Sequence, residues 1–212
     1  WHAERLGKFT ASSIYKLMGN ARKKDELFSE TAKTYILEKV AETLTGVPVQ
    51  IDTIATQWGH DQEPLARKWY KKITGNNVEE VGFIEYDKNS GGSPDGIIGI
   101  DGMVEIKSPF NTINHIKNLL VKDTRSFKDE LTEYYWQIQM NLLCTDRTWC
   151  DFISFDPRIN SDRGMHIFRM HRDFDDIELL KVRIKEATLY KENILSKLNP
   201  IANENIEIEQ RA

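Results

Sequence analysis

The sequence predicts a mixed α/β domain, with a central mixed β-sheet flanked by helices, and three observations carry that expectation. Helical periodicity fills the first third of the chain, strand-like segments fill the middle, and both signals return together afterwards. Helices, then a meander, then helices and strands give a mixed sheet covered by helices, not a doubly wound parallel sheet.

In chain order, Thr10-Ala11-Ser12-Ser13 ahead of Ile14, Leu17 and Met18, with Gly19 beyond, predicts a short capped helix. Residues 31–45 place Tyr35, Ile36, Val40 and Leu44 at helical spacing, and Gly46 supplies a stop. A third helix is expected over residues 56–73, ended by Gly75; Pro64 inside it forces a kink or marks where the regular part begins. Strands follow at 78–86, 96–100 and 102–107, with Asp101-Gly102 as a tight-hairpin signal between the last two. Helices are predicted at 111–121 and 130–144, and a strand pair at 148–155 and 165–171. Ile177, Leu180, Ile184, Ala187, Ile194 and Leu198 recur at helical spacing through a long amphipathic helix over 175–198. With no repeat or linker, residues 1–199 read as a single domain. Residues 200–212 form a polar, acidic tail expected to be frayed or disordered.

At 212 residues and 40% hydrophobic content the chain can bury one sizeable core. Lys plus Arg total 29 against 33 Asp plus Glu, a net charge of -4, which argues against a protein that coats nucleic acid through general positive charge. A carboxylate-rich metal site remains compatible with that balance, because bound metal offsets acidic charge. The basic runs Arg22-Lys23-Lys24 and Arg67-Lys68-Trp69-Tyr70-Lys71-Lys72 read equally as solvated faces or as contacts to a polyanion. Cys144 and Cys150 are too few for a Cys-rich zinc or iron–sulfur framework and read as small buried hydrophobes in a reducing compartment. No apolar run approaches the ~20 residues of a membrane span, so no membrane association is expected. The chain starts at Trp1, so initiator residues are expected to have been trimmed. His60, His115, His166 and His171 show no ligand spacing, and no Gly-rich phosphate loop or nucleophile elbow is present.

The chemistry concentrates in Ser93-Pro94-Asp95-Gly96 and, ten residues on, Glu105-Ile106-Lys107. On a strand, alternate side chains point to opposite faces, so Glu105 and Lys107 share one face while Val104 and Ile106 take the other. The Pro-Asp-Gly turn can return Asp95 to the acidic face. Alone, Asp95 reads as a turn carboxylate. A charged pair within an apolar strand, however, costs several kcal/mol unless it meets a partner or a metal. A structural salt bridge would meet that cost. So would metal-assisted phosphodiester cleavage: Asp95, Glu105 and the Ile106 backbone carbonyl would bind Mg²⁺, and Lys107 would orient a water and stabilise the pentacoordinate transition state. A second ion would neutralise the leaving oxygen, for two in all. Glu63 reads equally as a further ligand or as a first-turn acid favoured by the helix dipole. Gln137 reads, from the residues alone, as a helix-surface amide.

These residues give the chain a resemblance to the lambda exonuclease family, the YqaJ-like viral recombinases of the PD-(D/E)xK nuclease superfamily. The likeness runs in order through Trp1-His2, Arg5-Leu6-Gly7, Thr10-Ala11-Ser12, Trp58-Gly59 with Glu63, Ser93-Pro94-Asp95-Gly96 and Glu105-Ile106-Lys107. It continues through Pro109-Phe110, Gln137-Ile138-Gln139 and Asp156-Pro157-Arg158, reaching about residue 175. The resemblance implies a restriction-endonuclease-like fold and a 5′→3′ exonuclease that shortens one strand of linear double-stranded DNA, leaving 3′ tails for phage-type recombination. It implies Mg²⁺, with Mn²⁺ as a substitute, held by Asp95 and Glu105 with help from Glu63. Lys107 and Gln137 would then handle the attacking water.

By the same likeness Arg5 and Ser12 hold the terminal 5′-phosphate; an Arg fork and a hydroxyl at a helix N-terminus suit a dianion. A homotrimeric ring, a single-strand annealing protein as partner and a phage or prophage origin in a bacterial cytoplasm are also implied. Pro64 departs from a regular helix beside Glu63 and is expected to bend it there. The competing readings are a structure-specific or restriction-type endonuclease on the same fold and a catalytically silent DNA-end binding module. The intact acid–acid–lysine set argues against the latter.

Overall fold

The N-terminal segment folds as a one-turn helix α1 (His2–Arg5), a two-residue strand β1 (Phe9–Thr10), a 3₁₀ turn (Ala11–Ser13) and a short helix α2 (Tyr15–Met18). The computed structural model describes residues 2–23, 25–49 and 53–198; Trp1, Lys24 and the expected tail beyond Leu198 lie outside the described residues. Thr10 does not cap a helix as expected. Its backbone is extended, its amide donates to the Tyr35 hydroxyl, and it joins a sheet instead.

The longer helices have chemical stops at both ends. In α3 (Glu30–Thr45) Ser29 accepts the Ala32 amide and Gly46 closes the end in a left-handed conformation. In α4 (Ile54–Thr74) Thr53 and Gly75 play the same parts. Pro64 lies inside α4 and neither starts nor ends it, so Glu63 sits mid-helix and the first-turn reading of that acid fails.

The expected strand at 78–86 shrinks to β2 (Ile84–Asp87), with only an isolated bridge from Glu79 to Ile97 before it. Two strands that carry no apolar alternation were not foreseen, β1 and β3 (Ser90–Gly92); with β2 they form a three-stranded sheet in the order β1-β3-β2. The second sheet contains β4 (Gly96–Ile98) and β5 (Gly102–Lys107), paired antiparallel with Ile98 opposite Gly102. The connection is therefore residues 99–101, with Gly99 left-handed, and Asp101-Gly102 is not the turn. Gly102 belongs to the strand, where an added Cβ would come 2.1 Å from the Trp149 ring.

After β5 come α5 (Thr112–Leu120), α6 (Thr124–Glu130) and α7 (Thr132–Thr145). Helix α6, missed because Phe127 is its one buried apolar residue, is set by a capping box between Asp123 and Ser126. Strands β6 (Trp149–Phe155) and β7 (Met165–His171) complete a mixed four-stranded sheet in the order β4-β5-β6-β7, with β5 and β6 parallel. Helix α8 (Phe174–Leu198) closes the described fold. The architecture is mixed α/β with helices on the sheets, as expected, but the strands divide into two sheets.

Alternation along β5 decides what each face meets. Val104 and Ile106 pack with Ala66 and Tyr70 of α4, while Met103 joins the larger core around α7 and α8. Glu105 and Lys107 share the face of Met103 and so look toward α7.

The chain leaving β5 is strapped to β6. Asp156 is fully buried and accepts from Arg158 Nε (2.7 Å), Arg158 Nη2 (2.8 Å) and the Thr112 hydroxyl (2.8 Å). Arg158 in turn donates to the carbonyls of Phe110 and Pro109, at 3.0 and 3.1 Å. Burial opposes ionisation of Asp156, but these donors outweigh it and hold the carboxyl down at about 2. A carboxyl lowered on folding stabilises above its unfolded value and loses that contribution as pH falls toward the folded one. Asp156→Asn is therefore expected to lower stability by about 1–3 kcal/mol at pH 7, with the gap narrowing at pH 3. Chemical denaturation at the two pH values measures it, and an equal gap at both would contradict the charge-assisted account.

Candidate active site

The turn after Ser93 places Asp95 at the mouth of β4, with its amide donating to the Val104 carbonyl at 3.2 Å. Its Oδ2 accepts the Ile106 amide at 2.6 Å, which locks the side chain beside β5. Glu105 is completely buried. Its Oε1 lies 2.8 Å from Lys107 Nζ and accepts Gln137 Nε2 at 2.6 Å, and its Oε2 accepts Asn141 Nδ2 at 3.1 Å. Gln137 Oε1 accepts from Lys107 Nζ at 3.2 Å, so strand and helix hold one three-membered polar ring. Tyr134 lies beneath the same ammonium, 5.1 Å from ring centre to Nζ.

The electrostatics follow from this burial. Desolvation pushes Asp95 up to about 6, with Glu63 adding to the rise and Lys107 opposing it. Desolvation likewise pushes Glu105 up to about 7, opposed by Lys107 and reinforced by Asp95. Burial works to lower the Lys107 ammonium, but the Glu105 and Asp95 carboxylates outweigh it and hold it above its ordinary value. Two carboxylates thus repel each other across one lysine in a low-dielectric pocket.

Glu63 reaches the same cleft from α4, where Oε2 lies 3.3 Å from Arg67 Nη1. Arg67 also donates to the Asp95 carbonyl at 3.3 Å and pairs with Glu80 at 3.0 Å, so this member of the basic run faces inward. At the other end of the cleft, Arg5 donates through Nη1 to the Ser93 hydroxyl (3.1 Å) and through Nη2 to the Ser12 hydroxyl (3.2 Å). The cleft has a volume of about 1070 Å³ and brings together every side chain singled out from the sequence: Arg5, Ser12, Glu63, Asp95, Glu105, Lys107 and Gln137.

One reading of these residues is corrected. Gln137 is 8% exposed and sits at the centre of the site, not on a helix surface, because α7 is buried along most of its length. The salt bridge left open as an alternative does exist between Glu105 and Lys107, yet it leaves Asp95 without an ion pair among the described residues. Sequence reasoning missed Asn141, Ser93 and Arg67. Asn141 follows Gln137 by four residues on α7, and Arg67 follows Glu63 by four on α4, so helical spacing could have found both.

Among the described residues no group of three or more His, Cys, Asp or Glu stands ready to hold a metal by side chains alone. The donor set present is the fully buried Glu105 carboxylate and the half-buried Asp95 carboxylate, with the main chain at Ile106 in the same cleft lining, hard oxygens that fit an ion keeping much of its own water. A divalent cation would also relieve the repulsion between Asp95 and Glu105.

Comparison with known proteins matches this geometry to a family. A family model described as the YqaJ-like viral recombinase domain matches residues 1–148. No curated protein matches. Among solved structures, the alkaline exonuclease LHK-Exo from Laribacter hongkongensis is similar at TM-score 0.81 and 34% identity, covering 93% of this chain and 94% of that one. The same protein in complex with dAMP is similar to the same degree. A phage related exonuclease from Haemophilus somnus 129PT shares the fold at TM-score 0.75 and 20% identity, over 90% of this chain and 96% of that one. The match over residues 1–148 and the 34% identity across nearly the whole chain place it plainly: it belongs to the YqaJ-like viral recombinase family.

Proposed function

We propose that this nuclease is a Mg²⁺-dependent exonuclease of the PD-(D/E)xK kind that engages linear double-stranded DNA at a 5′-phosphorylated end and removes nucleotides 5′→3′. The carrying observation is one cleft with Asp95, Glu105, Lys107 and Gln137 at its centre and Arg5, Ser12 and Ser93 at its end. Asp95, Glu105 and the Ile106 carbonyl would hold the metal, with Glu63 alongside. When bound, such an ion polarises the phosphoryl group and makes hydroxide available near neutral pH.

The chain's own groups do the rest. Lys107 keeps its proton, so it acts as a fixed positive charge that stabilises the phosphoryl oxygens as negative charge builds on them. Gln137 donates from its amide nitrogen to Glu105 and accepts from Lys107 at its oxygen, which fixes the lysine and leaves it little freedom to reorganise. Arg5 and the two serine hydroxyls offer several donors to one dianion. The relative in complex with dAMP supports a cleft that accepts a nucleoside monophosphate. The family likeness further supports a homotrimeric ring on duplex DNA and cooperation with a single-strand annealing protein.

Three experiments test this reading. Linear duplexes labelled at either end should lose the 5′-labelled strand from its end only when Mg²⁺ is present, while a covalently closed plasmid survives; a cut plasmid would favour an endonuclease. Lys107→Ala should lower kcat on the order of 10²–10³-fold with end binding retained, and Arg5→Ala should reduce the preference for 5′-phosphorylated over 5′-hydroxyl ends. An Lys107→Ala protein as active as the parent would remove that lysine from the chemistry.

Asp95→Asn keeps an acceptor for the Ile106 amide but deletes a half-buried charge. A carboxyl raised on folding begins to cost stability above its unfolded value, and the cost is complete above the folded one, about 6 here. At pH 8 without metal the variant should be more stable by about 1–3 kcal/mol, and it should lose the thermal stabilisation that Mg²⁺ gives the parent. Thermal melts with and without Mg²⁺ decide the matter.

A further inference from the structure

Gly7 joins α1, which carries Arg5, to β1, and it does so in a left-handed conformation (φ 69°). Both of its peptide groups are gripped by buried charged side chains from distant helices. Its N–H donates to Glu42 Oε2 of α3 at 2.9 Å, and its carbonyl accepts from Lys191 Nζ of α8 at 2.9 Å. Glu42 is 3% exposed and Lys191 5%.

Lys39 neutralises Glu42, with Nζ 2.9 Å from both oxygens. Lys191 has no such partner: among the described residues it forms no ion pair, and its second acceptor is the Asn89 side-chain oxygen at 2.7 Å. Burial pushes this ammonium below its ordinary value. An interior ammonium that meets two neutral carbonyls and the Phe9 ring, but no carboxylate within ion-pair distance, is a costly way to fill space, and its position follows from what it ties together.

Gly7 stands two residues after Arg5, and Asn89 stands four before Ser93. The two segments run side by side, Phe9 donating its amide to the Asn89 carbonyl at 2.8 Å and β1 pairing parallel with β3. Lys191 therefore staples together the two strands whose ends deliver Arg5 and Ser93 to the cleft.

We propose that Lys191 is a positioning residue for end recognition: by tying Gly7 to Asn89 it fixes the separation of Arg5 from Ser93, and so the seat for a terminal phosphate monoester. This inference rests on the role proposed for Arg5. Lys191→Met keeps the length of the side chain and removes its donors.

The readout is the ratio of kcat/KM on 5′-phosphorylated and 5′-hydroxyl ends of one duplex. Lys191→Met should lower that ratio on the order of tenfold, through KM for the phosphorylated end, because small displacements of a positioning group carry penalties of that size. Lys181→Met, at an exposed ion pair on the same helix, should keep the parental ratio. Gly7→Ala disturbs the junction from the other side, since its Cβ would meet Thr43 Oγ1 at 2.6 Å, and should shift the ratio the same way.

A folded Lys191→Met protein that melts earlier yet keeps the parental ratio would overturn the proposal, as would an equal fall in the Lys181→Met control. If Lys191→Met does not fold, Gly7→Ala decides alone, and a parental ratio there overturns it. A parent with no preference between the two ends would instead remove the role of Arg5, and this inference with it.

Discussion

Glu105 has no access to water, and most of the molecule's arrangement around β5 answers that constraint. A carboxylate inside a protein must be met by donors or cations, since the uncompensated charge costs several kcal/mol. Here Lys107, Gln137 and Asn141 converge on its two oxygens. That convergence requires α7 to present polar residues toward β5, and it accounts for Gln137 and Asn141 on a helix so deeply buried, while Gln139 serves the His171 carbonyl and the Asp173 amide instead. The compensation is incomplete, because the half-buried Asp95 adds a second carboxylate to one lysine. A divalent cation between the two carboxylates would relieve their repulsion.

The periphery serves the same end through longer reach. Arg158 and Asp156 strap the segment that follows Lys107 to the end of β6. Arg67 links Glu63 on α4 to the carbonyl of Asp95. In both cases a charged side chain acts on backbone carbonyls and so ties the main chain to another element.

The β5 strand was legible in the sequence to the residue, because charges two apart in an apolar run share one face of a strand and must find partners there. The long helices were equally clear, since Gly46 and Gly75 stop them by backbone conformation. What failed to show were elements whose stability comes from elsewhere. Strand β3 is Ser-Gly-Gly and has no side-chain pattern to read; it is a strand because β1 and β2 pair with it. Gln137 looked like a surface amide because sequence spacing gives the face of a helix but not what covers that face. Arg67 sat in a run whose other basic members are exposed, and only the fold turns it inward. The Arg5 and Ser12 pairing came from family likeness, and Ser93 joined it only once the strands were placed.

The central claim is that Asp95 and Glu105 share a divalent ion against a phosphodiester. A crystal structure of the protein with a 5′-phosphorylated duplex and calcium tests it most directly. The account predicts ion density between the two carboxylates, with Lys107 Nζ against a phosphate oxygen of the bound strand. Density for DNA in the cleft with no ion there, and Lys107 still turned wholly toward Glu105, would contradict it.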